Sequence, residues 1–106
     1  MMDHARQIAA FSAMLARGQD NALLRFGLGQ ALLADGQAAE AVTHLRAAIA
    51  HDAKYSAAYK LLGKALATTG DAAGAAEAYR DGVAVAEARG DIQAAREMKV
   101  FLKRLG

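Results

Sequence analysis

The sequence contains no cysteine, no proline and no tryptophan, and aromatic residues make up only 6% of its 106 positions. The absence of cysteine excludes a disulfide framework, a thiolate nucleophile and every zinc site that uses cysteine ligands. The absence of proline, together with only ten glycines, argues against a β-sandwich, because its many short strands need turn residues at each end. A run of roughly 18–20 apolar residues, the length that crosses a bilayer, is also missing.

The remaining composition favours a single all-α domain. Hydrophobic residues account for 55% of the chain and include 29 alanines, which favour helices. A net charge of +2 is too small to indicate a nucleic-acid partner by itself. The start of the chain, Met1 to Arg6, lacks the basic opening and apolar core of a signal peptide. We therefore expect a cytoplasmic protein without a membrane partner.

The chain repeats itself with a period of 34 residues. When Ala22–Asp52 is placed over Ser56–Ala86, 10 of 31 positions are identical. Five of these pairs are alanines, so the other five carry more weight. They are Leu28/Leu62, Gly29/Gly63, Leu32/Leu66, Gly36/Gly70 and Arg46/Arg80.

Each unit reads as two helices joined by a tight turn. In the first unit, Asp20 or Asn21 is expected to cap a helix that ends near Ala34, and Gly36 provides the left-handed residue that ends it. The second helix is expected over 38–51, and the second unit repeats the pattern over 56–69 and 72–89. Small residues at equivalent positions should allow the two helices of each pair to approach closely. These residues are Gly29 and Ala41 in the first unit, and Gly63 and Ala75 in the second.

This pattern resembles the tetratricopeptide repeat family, whose motif places Leu-Gly in the first helix and alanine followed by a large residue in the second. The motif positions in the second unit are Tyr59, Leu62, Gly63, Leu66, Ala75 and Tyr79. Their counterparts in the first unit are Arg25, Leu28, Gly29, Leu32, Ala41 and Leu45. Three positions depart from the family pattern: Arg25 replaces an aromatic residue, Ala53 replaces a proline, and Gly82 replaces an alanine.

The resemblance predicts a short right-handed α-solenoid of about six helices in one domain. Residues 1–18 would form an N-terminal capping helix, 22–55 and 56–89 the two repeats, and 90–106 a C-terminal capping helix. Shifted by 34 residues, Phe11 falls on Leu45, so the first helix matches the second helix of a truncated repeat. Flanking helices are expected because two repeats alone leave apolar faces uncovered.

The residues that could carry chemistry do not form a catalytic pattern. His44 and His51 lie two turns apart on one predicted helix, with Glu40 one turn before His44 and Asp52 next to His51. Zinc would need further ligands in close reach, so we interpret the two histidines as solvated surface residues. The segment Gly27-Leu28-Gly29 lies inside a helix pattern and follows no strand, which argues against a dinucleotide loop. We predict no catalytic, cofactor-binding or metal-binding residues.

The family resemblance implies a non-catalytic adaptor that binds a peptide or helix of a partner protein in a concave groove. The groove residues that it implies are Leu23, Phe26, Gln30, Leu33, Lys60 and Lys64. Two alternatives stay open, because Phe26 could pack inside the domain and the two lysines could be ordinary solvated side chains. One subgroup of the family grips a chaperone's terminal carboxylate through Lys, Asn and Arg. None of these types occurs at the matching positions, Phe26, Gln30, Leu61, Asp91 and Ala95.

Two other classes of function remain at this stage. The last predicted helix has an apolar stripe at the end of the stack, so the chain could self-associate as a structural module. The same helix carries Arg96, Lys99, Lys103 and Arg104, but it lacks the interleaved aromatic residues typical of single-strand binding. We therefore expect a protein or peptide partner, no nucleic acid, and a monomer or weak homodimer.

Overall fold

The computed structural model describes residues 3–106, which fold into six α-helices and contain no strand. The helices are α1 (His4–Ala16), α2 (Ala22–Ala34), α3 (Ala38–His51), α4 (Ser56–Thr68), α5 (Ala72–Arg89) and α6 (Ile92–Leu105). For α2 to α5 these bounds agree with the predicted helices to within one residue at each end, whereas α1 and α6 are shorter than the predicted segments 1–18 and 90–106. Met1 and Met2, which open the predicted 1–18 segment, lie outside the described residues.

Side-chain caps fix where four of the helices begin. Asn21 accepts a hydrogen bond from the backbone N–H of Leu24 at 2.8 Å, so Asn21 rather than Asp20 caps α2. Asp71 and Asp91 make the equivalent bonds at the starts of α5 and α6, as does Asp3 at α1. Each bond satisfies one of the backbone donors that a helix start leaves unpaired. Helices α3 and α4 begin without a side-chain cap.

In each repeat, a glycine with a left-handed backbone conformation follows the end of the first helix. Gly36 has φ +82° and Gly70 has φ +87°, a conformation that residues with a side chain rarely adopt. In both turns the residue after the glycine donates its N–H back to a helix carbonyl at 2.9 Å, from Gln37 to Leu32 and from Asp71 to Leu66. The identical closure of both turns reproduces the 34-residue period in the backbone.

The helices pack in sequence as antiparallel neighbours, α1 on α2, α2 on α3 and so on to α5 on α6. Weaker contacts join α2 to α4 and α4 to α6, so the first helices of successive units lie side by side. A single core runs through the stack. Its largest fully buried side chains are Leu28, Leu32, Leu45 and Met98. The predicted all-α solenoid is therefore confirmed.

The predicted close approach of the paired helices is present in both units. A Cβ built on Gly29 would lie 2.7 Å from Leu45 Cγ, and one built on Gly63 would overlap the ring of Tyr79. Gly82 has the same role one helix further on, since an added Cβ would lie 2.7 Å from the Cβ of Tyr59. The glycine that departs from the family pattern at this position therefore makes room for Tyr59 and Met98.

Among residues 3–106, none of the helices combines the length and the apolar character required to cross a bilayer.

Candidate peptide-binding groove

The first helices of the two repeats, α2 and α4, lie beside each other, and the C-terminal helix α6 lies beside α4. We call the side formed by these three helices the first-helix face. All six predicted groove residues belong to α2 or α4 and hence to elements of this face. The structure brings three of them together. Leu23, Phe26 and Gln30 line an open depression with a volume of about 480 Å³, whereas Leu33, Lys60 and Lys64 are not among its lining residues.

Leu23 is the most exposed large apolar side chain in the described part of the chain, with 71% of its surface accessible. It is the second residue of α2, two positions after the cap Asn21. Its neighbour in sequence, Leu24, is buried in the core, so Leu23 must point away from it. An exposed leucine on the wall of an apolar depression is a suitable anchor for an apolar side chain of a partner.

Phe26 packs inside the domain and lines the depression at the same time. Its ring stacks on Tyr55 with centroids 4.9 Å apart and planes inclined by 25°. Tyr55 directly precedes α4, so this contact joins the first unit to the start of the second. Burial raises the pKa of the Tyr55 hydroxyl, with a smaller contribution from nearby Asp52. Phe26 was expected either to line the groove or to pack inside the domain. One side of its ring packs on Tyr55, and another part of its surface lines the depression.

Lys60 and Lys64 both contact α6. Lys60 Nζ donates a hydrogen bond to Glu97 Oε1 at 3.2 Å, and Lys64 Nζ lies 4.9 Å from the centre of the Phe101 ring. Lys60 is half-buried and Lys64 is exposed. These contacts join α4 to α6. The alternative that both lysines are ordinary solvated side chains did not foresee them. Leu33 is half-buried against the core cluster.

A polar network that the sequence reading missed joins the α1–α2 turn to α2 and α3. Both carboxylate oxygens of Asp20 accept hydrogen bonds from Arg25, at 2.8 and 2.9 Å. His51 Nε2 lies 2.9 Å from the same carboxylate. Arg25 Nη1 also lies 3.0 Å from His44 Nδ1. Because arginine can only donate, His44 accepts this hydrogen bond and is neutral in this arrangement.

The charges in this network shift two pKa values downward. The hydrogen bond from Arg25 holds the pKa of Asp20 well below its usual range. Burial opposes this effect in part, and the hydrogen bond with His51 lowers the pKa further. Burial lowers the pKa of His44, and the positive charge of Arg25 lowers it further. The two histidines interpreted as solvated are therefore hydrogen-bonded to charged groups. Arg25, which stands at the aromatic position of the family motif, is the residue that joins Asp20 to His44 in this network.

The lining residues outside the predicted groove set include three large side chains that the sequence did not point to: Phe11, Met14 and Tyr55. Phe11 and Met14 belong to α1, which was treated only as a capping helix. The 34-residue shift could have indicated them, because it places Phe11 on Leu45 and Met14 on Ala48, two buried residues of α3. No group of three or more histidine and carboxylate side chains among residues 3–106 is arranged to hold a metal ion.

The model of the tetratricopeptide repeat family matches this chain over residues 3–56 and again over 26–97. A TPR repeat-containing protein of Pseudomonas aeruginosa is 52% identical over 98 residues, which cover 92% of this chain and 93% of that protein. The chain therefore belongs to the tetratricopeptide repeat family. The similarity extends beyond the two repeats and includes the helices at both ends.

Three solved structures share the fold. A protein of Bordetella parapertussis, known from a solution structure, is 47% identical with a TM-score of 0.82, covering 99% of this chain and 89% of that one. A chain of a type III secretion complex from Aeromonas hydrophila matches with a TM-score of 0.91 at 19% identity, covering 96% of this chain and 69% of that one. The type III secretion translocator chaperone SycD of Yersinia enterocolitica gives 0.89 at 16% identity, with coverage of 96% and 71%. At such low identity the last two show the fold alone.

Proposed function

We propose that this chain is a non-catalytic interaction module whose first-helix face binds a peptide or helix of a partner protein. The proposed contact residues are the six implied by the family resemblance: Leu23, Phe26, Gln30, Leu33, Lys60 and Lys64. The observation that carries the proposal is the exposed side chain of Leu23, 71% accessible, on the wall of an apolar depression next to Phe26. Membership of a repeat family that serves as a binding scaffold supports the same function.

The depression favours an apolar anchor over recognition by charge. None of its lining residues is charged. Of the two lysines, Lys60 is already paired with Glu97, so its positive charge is partly compensated before any partner arrives. We therefore expect a partner segment with one or two large apolar side chains, and a weak dependence of binding on salt.

The test compares capture of partners from the native lysate by the wild-type protein and by two single variants. Leu23→Glu places a charge on the wall of the depression, whereas Val100→Glu places the same charge on α6, where Val100 is 47% exposed. Both positions are exposed, so both variants should fold. The proposal expects Leu23→Glu alone to lose the captured partner. Equal capture by Leu23→Glu and wild type would contradict it.

Self-association remains as a second candidate because α6 exposes two apolar side chains, Ile92 at 55% and Val100 at 47%. Both lie on the last helix of the stack, which has α5 as its main neighbour. Sedimentation velocity over a wide range of concentrations tests this function. A species that becomes dimeric in the wild type and stays monomeric in Val100→Glu would favour it over the groove.

A further inference from the structure

Helix α1 leaves half-buried or exposed the side that α3 buries against its hairpin partner. The 34-residue shift aligns four residues of α1 with the four buried residues of α3, and none of the four on α1 is buried. The residues of α3 are Ala38, Ala41, Leu45 and Ala48. Their counterparts on α1 are His4, Gln7, Phe11 and Met14.

These four residues of α1 line two depressions that adjoin each other along the boundary between α1 and α2. One is the depression of about 480 Å³ that contains Phe11 and Met14, and the other, of about 390 Å³, contains His4, Gln7 and Phe11. Both depressions share Phe11, Gly27 and Gln30. We call the two together the α1–α2 trough.

In the complete units, the same position is filled by a first helix. Leu45 of α3 contacts Gly29 of α2, and Tyr79 of α5 contacts Gly63 of α4. Phe11 occupies the equivalent register on α1, and no helix of residues 3–106 packs on it from the side that α2 takes on α3. The tip of its ring lies instead against Gly27 of α2, where a built Cβ would be 2.9 Å from Phe11 Cζ. The trough is therefore the surface on which a first helix would pack against α1 in the register of the two repeats.

We propose that the α1–α2 trough binds an amphipathic α-helix of a partner protein, which packs on α1 as α2 packs on α3 and continues the stack by one helix. This inference rests on the proposed binding function and specifies the form of the bound segment. The helix would run antiparallel to α1. It would place glycine or alanine over Phe11, with leucine beside it, as in Leu28-Gly29 and Leu62-Gly63.

The distribution of charge fits such a helix. The trough is lined without any lysine, arginine or carboxylate, so the inner side of the bound helix should be apolar. Arg17 caps the C-terminal end of α1, and among the described residues it has no carboxylate within ion-pair distance. An antiparallel helix would begin near Arg17. An acidic side chain in its first turn would complement both Arg17 and the helix dipole.

The experiment uses the whole protein and a synthetic peptide with the sequence of residues 52–69, which contains Leu62-Gly63 and begins with Asp52. In its own domain this segment packs against an aromatic ring, that of Tyr79, which is the counterpart of Phe11. The control peptide carries Gly63→Leu. Backbone amide shifts in NMR titrations locate the bound peptide, and isothermal titration gives its affinity.

The protein variants are Gln7→Lys, which puts a charge into the trough, and Ser12→Lys, which puts the same charge on an exposed position of α1 that lines neither depression. We expect shifts at Gln7, Phe11 and Gln30. Binding should be weaker by about tenfold or more for Gln7→Lys and for the control peptide, and within about twofold of wild type for Ser12→Lys.

Several outcomes would overturn the inference. Shifts confined to α4 and Leu33 would place the peptide on the rest of the first-helix face, which contradicts the trough but leaves the proposed function in place. Shifts around Tyr79 would mean that the peptide replaces α4, and an absence of shifts up to the solubility limit would mean that the trough binds no helix of this kind. Concentration-dependent shifts at Gln7 and Phe11 without peptide would identify a second copy of the chain as the occupant.

Discussion

At the scale of single residues, the hairpins depend on glycines that face large side chains. Gly63 is buried, and a Cβ built on it would overlap the ring of Tyr79, which is only 3% exposed. Gly27 lies in the preceding first helix and faces the ring edge of Phe11 at the border of an open depression. The same substitution should therefore have different consequences at the two sites.

We expect Gly63→Ala to lower the free energy of unfolding by about 1–3 kcal/mol, because Tyr79 has no space into which it can move. Gly27→Ala should change it little or raise it, since Phe11 can shift toward the depression and alanine favours the helix by up to ~1 kcal/mol. Denaturant unfolding of both variants measures the difference. Equal losses at the two sites would show that loss of glycine, rather than contact with Tyr79, determines stability.

The pH dependence of stability follows from His44. Burial and Arg25 lower the pKa of His44 below its ordinary value of 6.5, so the folded state binds fewer protons than the unfolded state as the pH falls. The stability that His44 contributes is therefore complete above pH 6.5 and decreases as the pH falls below that value. We expect the wild-type protein to be less stable at pH 5.5 than at pH 7.5.

His44→Gln is the matched variant, because glutamine can still accept the hydrogen bond from Arg25 but does not titrate. The loss of stability between pH 7.5 and pH 5.5 should be smaller in this variant than in the wild type. Unfolding curves at the two pH values, with an NMR titration of the His44 ring, provide the comparison. An unchanged pH dependence would assign the effect to other groups.

At the scale of helices, the elements that could be predicted from the sequence are those with local signals. Asp71 and Asp91 each cap a helix by a hydrogen bond to the residue three positions later. Gly36 and Gly70 adopt a left-handed conformation in turns whose geometry depends on only a few neighbouring residues. The contacts of Lys60 with Glu97 and of Lys64 with Phe101 could not be predicted in the same way. They depend on how α6 packs beside α4, which is set by the whole stack and not by any local pattern.

Phe101 holds α6 in place through contacts with two other helices. Its ring lies 5.7 Å from that of Tyr79, and Lys64 Nζ lies 4.9 Å from its centre. We expect Phe101→Ala to lower the free energy of unfolding by about 1–3 kcal/mol, less than for a fully buried ring because Phe101 is half-buried. Hydrogen exchange should show the loss first in the amides of α6.

Val100→Ala is the control for this prediction, since Val100 is adjacent on α6 and 47% exposed. Its effect should stay within about 0.5 kcal/mol, as is usual for exposed positions. If both variants lowered stability equally, helix propensity or general packing of α6 would be responsible instead of the contacts with Tyr79 and Lys64.

At the scale of the whole molecule, stability should vary along the stack because each helix packs mainly on its neighbours in sequence. The two ends differ. Helix α6 buries three residues, Ala94, Ala95 and Met98, whereas α1 buries none. The repeat period predicted that α1 matches a second helix, but it did not predict how much of α1 is left exposed.

The amides of α1 should therefore exchange faster than those of α6, and both should exchange faster than those of α4 in the centre. Native-state hydrogen exchange measured residue by residue tests this order, with α6 as the control for an ordinary chain end. A helix bound in the α1–α2 trough would bury Phe11 and Met14, so the 52–69 peptide should slow exchange in α1 more than in α6. Equal protection of α1 and α4 without peptide would mean that α1 is stabilised despite its exposed side, and the open trough would then have no energetic consequence.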